Sequence, residues 1–281
     1  MSQPSEAGSV SHQTYERPPV TEVLLGVQFK PMMDFKSLHY GLFWANHLSD
    51  LGWVPVADEG ILPRVAEAFD KPLLKANQKK GEESAVGVRI RMKNGAEDRM
   101  LQFQPDKLLL SWVKNEAAGG KPPYDQLKNE FSVLFQALTD FIDDHEMNAL
   151  QPDLWEVKYL NQIPPGQLWN EPSDWPKILP SLFPPDLAMG DGLRFATFEG
   201  EWYYEIEPQK GRVKVRAAKM FVNQKPPAVL YLRVQARGDI GESGMPDWSS
   251  GFDLGHGACN RLFNKLTSPD AQKEWGVSHA I

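Results

Sequence analysis

The chain has a single cysteine, Cys259, among 281 residues, so no disulfide can form within it and a thiolate metal site would need other ligands. It has no apolar run near the ~18–20 residues that a membrane span requires, so no membrane partner is expected. It has no excess of cations: 30 Lys and Arg stand against 37 Asp and Glu, and the net charge of −7 opposes general nucleic-acid binding. Residues 1–16 lack both a basic start and an apolar middle, so they are read as a disordered tail and not as a signal peptide. Together these absences predict a cytoplasmic protein in a reducing compartment.

Catalytic and cofactor signatures are missing too. The sequence contains no Walker A loop, no Rossmann Gly-x-Gly-x-x-Gly, no His-Glu-x-x-His, no Gly-x-Ser-x-Gly and no Cys-x-x-Cys. No cofactor and no metal are therefore expected. The glycine-dense run 251–257 has nothing basic after it at phosphate-binding spacing.

What is present is ordinary globular composition, with 41% hydrophobic residues and 14 Phe, 9 Trp and 7 Tyr to fill a core. Residues 154–163 organise the rest. Trp155, Val157 and Tyr159 alternate with Glu156 and Lys158, a period of two that predicts a half-buried strand at mid-chain. Before it, the pattern predicts a strand over 20–29, a helix over 34–51 capped by Asp34 and stopped at Gly52, and a short helix over 62–69. A charged loop over 75–83 and strands over 85–92, 99–104 and 107–113 follow, with a long amphipathic helix over 124–145. After it come a Pro- and Trp-rich connection over 164–185 with one short helix after Ser173, and strands over 193–198, 201–207, 212–221 and 228–237. Turns are expected at Glu199-Gly200 and over 209–211. A glycine-rich loop over 238–251 and a helix over 253–266 close the chain. The predicted class is α+β: a curved antiparallel sheet, or sheets, packed on long helices. The layout suggests two pseudo-repeated strand–helix–strands–helix halves, 17–150 and 151–281, merged into one domain.

Three constellations could carry function. Asp253, His256 and Asn260 share one stripe of the last helix at spacings of three and four, so Asp253 could orient the His256 imidazole as a general base. The structural alternative makes Asp253 the helix cap and His256 a packed or solvated side chain, with Cys259 a small core residue. Arg89 and Arg91 on one strand, and Arg212, Lys214 and Arg216 on another, could gather on the open sheet face. There they would meet a small anionic ligand, an acidic protein partner or single-stranded nucleic acid, or merely pair with Glu205 and Glu207. Trp169 and Trp175 could form an aromatic lid or a partner surface, or pack a connection. His39 and His47 lie about 12 Å apart along a helix axis, too far to share a metal.

Several segments in order resemble one family. They are Arg17-Pro18-Pro19-Val20-Thr21-Glu22, then Leu101-Gln102-Phe103-Gln104-Pro105-Asp106, then Lys158-Tyr159-Leu160-Asn161, and finally Leu254-Gly255-His256 with Phe263, Thr267 and Gly276. The chain resembles a sporadically distributed, uncharacterised family of bacterial and archaeal proteins with a Pro-Pro-x-x-Glu start, an Arg-Tyr-x-Asn centre and a Leu-His helix with closing Thr and Gly. Lys158 stands where arginine is usual, and Leu160 where isoleucine is usual. The resemblance implies the α+β architecture and an accessory or antitoxin-like role beside mobile or defence genes. It implies no catalytic residue. The function expected from the sequence is that of a binding or interaction protein, with an acid–base enzyme at His256 and Asp253 and a single-strand binder as alternatives.

Overall fold

Residues 20–29 and 152–163 are both strands by apolar alternation, and they lie side by side at the centre of one sheet. The computed structural model of the chain describes residues 13–69, 87–183, 192–193, 195–206, 210–224, 226–241 and 244–279. In chain order come β1 (Gln13–Tyr15), β2 (Val20–Phe29), α1 (Ser37–Phe43), β3 (Val54–Glu59), β4 (Arg89–Lys93), β5 (Arg99–Gln104), β6 (Lys107–Val113) and α2 (Tyr124–Asp144). Then follow β7 (Pro152–Ile163), β8 (Glu199–Ile206), β9 (Gly211–Phe221), β10 (Ala228–Asp239), α3 (Trp248–Leu266), α4 (Pro269–Glu274) and β11 (Val277–His279). Nine strands form one antiparallel sheet in the order β3-β4-β5-β6-β2-β7-β10-β9-β8, while β1 and β11 pair separately.

Register sets what each face carries. Leu101, Leu110, Leu25, Val157, Ala236 and Val213 stand opposite one another across the sheet, and this apolar row faces the helices. The stripe Leu127, Phe131, Leu134, Leu138, Phe141 and Ile142 of α2 is buried, and Phe141 meets Phe43 of α1 at 5.3 Å between ring centroids. Over the second half of the sheet α3 lies directly on β7, where Gly251 and Gly255 make room for the Trp155 indole.

The other face carries the polar residues, and residues 61–69 cross it in extended form. Gln104 bonds both the N–H and the C=O of Leu62, each at 2.9 Å, and Gln28 does the same for Val65 at 2.8 and 3.2 Å. These side chains come from β5 and β2 and take the backbone groups that a helix would satisfy internally. Hence the short helix expected over 62–69 does not form. Arg64 lies between Asp106 at 3.5 Å and Asp153 at 2.5 Å, and Glu67 reaches Arg212 at 2.6 Å.

Beneath this crossing segment the Lys107 amine bonds the Pro63 carbonyl. Burial pulls Lys107 down to about 8, against the attraction of Asp106 and Glu156. Unfolded lysine titrates near ~10.4, so between about pH 8 and 10 the unfolded chain holds a proton that the native chain has released. The contribution of Lys107 to stability therefore rises with pH across that window, while the buried Cys259 thiol, pushed up to about 12, works in the opposite direction. Between pH 7.5 and 9.5 the wild type should gain on the order of 1–2 kcal/mol relative to Lys107→Met, read from the urea midpoints of the two proteins.

Other expectations need correction. Residues 13–15 of the expected tail form β1; residues 1–12 lie outside the described residues, as does the charged loop expected over 75–83. The cap of α1 is Lys36, because the Asp34 carboxylate accepts from Asn148 at 2.6 Å instead. A strand over 54–59 was not foreseen. Glu199 and Gly200 belong to β8 and pair with Ala218 and Ala217, so they form no turn. The described residues 195–198 form no strand: Phe195 and Phe198 turn inward onto Trp175 and Phe183. The last helix starts at Trp248, capped by Asp247 through Ser250 N at 2.7 Å, so Asp253 is not its cap.

Candidate functional site

On the helix side of the sheet a cavity of about 300 Å³ opens between β7, α3 and the first turn of α2. Strand alternation places Tyr159 and Asn161 two residues apart on the row that faces the helices. Helix periodicity lines up His256, Asn260 and Phe263 on the facing side of α3. Tyr124 enters from the start of α2, directly after Pro123. The outer wall is Thr14 and Tyr15 of β1, which β11 holds by pairing. The Tyr15 ring packs edge-on against Phe263 at 5.8 Å and its hydroxyl donates to Asn264 at 2.6 Å.

A chain of polar contacts runs along this cavity. The Tyr159 oxygen lies 2.5 Å from His256 Nδ1, and Asn260 Nδ2 lies 3.1 Å from His256 Nε2. The same Nδ2 lies 3.4 Å from Nδ1, so the amide sits beside both ring nitrogens, and the Tyr159–Nδ1 contact is the short hydrogen bond of the chain. Tyr124 stacks on the imidazole at 3.8 Å, with ring planes 5° apart. The Tyr124 hydroxyl donates to Asp253 at 2.9 Å, and Lys128 holds the same carboxylate at 2.8 Å.

The phenols stay protonated. Burial raises Tyr159 well above the ordinary phenol value, with the Cys259 side chain adding to the effect. Burial also raises Tyr124, reinforced by the Asp253 carboxylate beside it. Cys259 lies behind the cavity wall, buried, with its thiol pushed up to about 12 by desolvation. A thiol that holds its proton so tightly is a poor nucleophile, so Cys259 acts as wall and not as reagent.

No family model matches the chain, and no curated protein matches it. The geometry alone therefore places the residues expected from sequence. His256 and Asn260 meet at the cavity. The Asp253 carboxylate is held by Tyr124 and Lys128, and it is the Tyr124 ring that stacks on the imidazole. The two basic strands do share the face away from the helices, but β5, β6, β2, β7 and β10 lie between them. At ~4.8 Å per strand the two groups stand about 29 Å apart. Arg89 and Arg91 both pair with Glu59, Arg212 with Glu67, Lys214 with Glu201 and Arg216 with Glu199. They form no common anion site. Trp169 and Trp175, expected at a lid or partner surface, are 4% and 0% exposed and pack edge to face with ring centroids 5.8 Å apart. Both belong to the core, with Trp169 donating to the Ile163 carbonyl at 3.1 Å.

Sequence reasoning missed Asn161, Tyr124 and Lys121 as cavity residues. Asn161 had a signal: it continues the apolar row Trp155, Val157, Tyr159 with a polar side chain, and it is 3% exposed. Tyr124 and Lys121 had none, since the start of α2 is brought to His256 only by the packing of two distant helices. Among the described residues no group of three His, Cys, Asp or Glu side chains could hold a metal ion, and no helix is long and apolar enough to cross a membrane.

Proposed function

We propose that the protein is a binding module whose ligand is a small molecule seated in the cavity at His256. The observation that carries this reading is a cavity of about 300 Å³ lined by a few converging polar groups on otherwise apolar walls, the usual make-up of a ligand pocket. The segments behind the family resemblance support it. Pro18, Val20, Tyr159, Asn161, His256 and Phe263 come from three of those segments and all line the cavity. Glu22 of the first segment also pairs with Lys158 of the central one at 2.8 Å. A common ancestry with that family, and a pseudo-repeat in which β7, β8, β9, β10 and α3 echo β2, β4, β5, β6 and α2, are part of the same proposal. The supporting feature is strand order: outward from the β2–β7 pair it runs β6-β5-β4 on one side and β10-β9-β8 on the other.

A screen of small molecules by thermal unfolding tests the reading. A true ligand at a hundredfold excess over its Kd should add about 2.7 kcal/mol and raise Tm by several degrees, and Tyr159→Phe should reduce that shift. No stabilising compound, or a shift that His256→Ala leaves undiminished, would overturn it.

One observation favours a second reading, acid–base catalysis. The Tyr159 oxygen and His256 Nδ1 lie 2.5 Å apart, within the reach that proton transfer between a side chain and its partner requires. Chemical change of the bound compound, abolished in His256→Gln with binding retained, would support it; recovery of the compound intact would remove it. Single-strand binding loses its motive, since the cations that suggested it are paired and divided between two strands.

A further inference from the structure

We propose that the cavity takes a small organic carboxylate with a flat, apolar body. This rests on the cavity being the ligand site and adds the chemistry of the ligand. Among the described residues the lining holds no aspartate or glutamate, although the chain has 37 of them and a net charge of −7. Lys121 is the one lysine or arginine among the described lining residues, and it forms no ion pair with any described residue. It sits solvent-accessible at the rim, yet the protein around it desolvates its amine enough to lower its pKa, a penalty that a bound carboxylate relieves.

Inside, the Asn260 amide, which lies beside both ring nitrogens of His256, offers N–H groups to a ligand. Because both phenols hold their protons throughout the physiological range, no phenolate forms to repel an anion. The ring of Tyr124, already stacked on the imidazole, joins Pro18, Pro123 and Phe263 as flat apolar wall. A cationic ligand would face Lys121 with no carboxylate to receive it. A phosphate dianion would carry more charge than one lysine answers. A monocarboxylate matches both the charge and the donors, since a charge-assisted hydrogen bond is roughly twice as strong as a neutral one.

Isothermal titration of the full chain with benzoate, 4-hydroxybenzoate and indole-3-acetate, beside their three amides, tests the inference. At least one acid should bind about tenfold or more tighter than its amide. Lys121→Gln should collapse that preference without lowering Tm, because the side chain is solvent-accessible and forms no ion pair with any described residue. An acid and amide that bind equally well, or a preference that survives Lys121→Gln, overturns the carboxylate inference and leaves the cavity as a ligand site. No heat from either series at millimolar concentration also overturns the carboxylate inference, while the thermal-unfolding screen decides the cavity reading separately.

Discussion

Trp155→Ala should lower folding stability by about 3–5 kcal/mol, read as a shift of the urea midpoint. The indole is fully buried and is held in a cradle of glycines from three elements. A Cβ at Gly251 would stand 2.4 Å from its Cγ, one at Gly255 2.6 Å from Cζ3, and one at Gly238 2.6 Å from Cζ2. Removing the indole therefore leaves a void that rigid strand and helix backbones cannot close. The ring N–H has no partner among the described residues, so the loss is one of packing and not of hydrogen bonding. The same geometry predicts a change of sign in a double-mutant cycle. Gly255→Ala should destabilise the wild type through its clash, yet stabilise the Trp155→Ala protein, where the methyl enters the void and the helix gains up to ~1 kcal/mol of propensity. Additive effects of the two substitutions would refute the cradle.

Arg64→Met should cost roughly 3 kcal/mol, the lower end of what breaking a buried ion pair costs. Its guanidinium is 8% exposed and stands between Asp106, 2% exposed, and Asp153, and it also donates to the Phe29 carbonyl at 2.5 Å. Methionine fills much of the same space but leaves Asp106 buried beside uncompensated charge. The partial exposure of Asp153 keeps the cost from reaching the top of the range. As a control, Glu97→Gln breaks the exposed Lys93–Glu97 pair and should change stability by less than about 0.5 kcal/mol. Equal effects from the two variants would show that residues 61–69 are not clamped to the sheet.

Much of the fold was legible in local pattern. The expected strands over 20–29, 99–104 and 107–113 have the boundaries found, and α2 ends one residue from its expected limit. These segments alternate, or repeat every third and fourth residue, because a single buried face selects their side chains. Errors fell where a distant side chain intervened. Asp34 reads as a helix cap until Asn148 takes its carboxylate. Residues 62–69 read as a helix until Gln28 and Gln104, 37 and 42 residues away from their backbone partners, bond them in extended form. Gly251 reads as part of a loop, yet it lies inside α3 as the space that Trp155 needs.

The site divides in the same way. His256 and Asn260 were visible as a helical pair, and Tyr159 as a member of the central strand. That these three meet, and that the Tyr124 ring stacks on the imidazole, follows only from α3 lying across β7 and from the start of α2 coming alongside.

From residue order alone the protein has its element types, its antiparallel α+β class and the stripe that carries His256, since periodicity depends on neighbours within one turn or one pleat. Only the tertiary structure decides which cations are neutralised, which tryptophans are buried and where the cavity lies. Those outcomes depend on contacts between groups far apart in the chain, whose burial and pairing no local window contains.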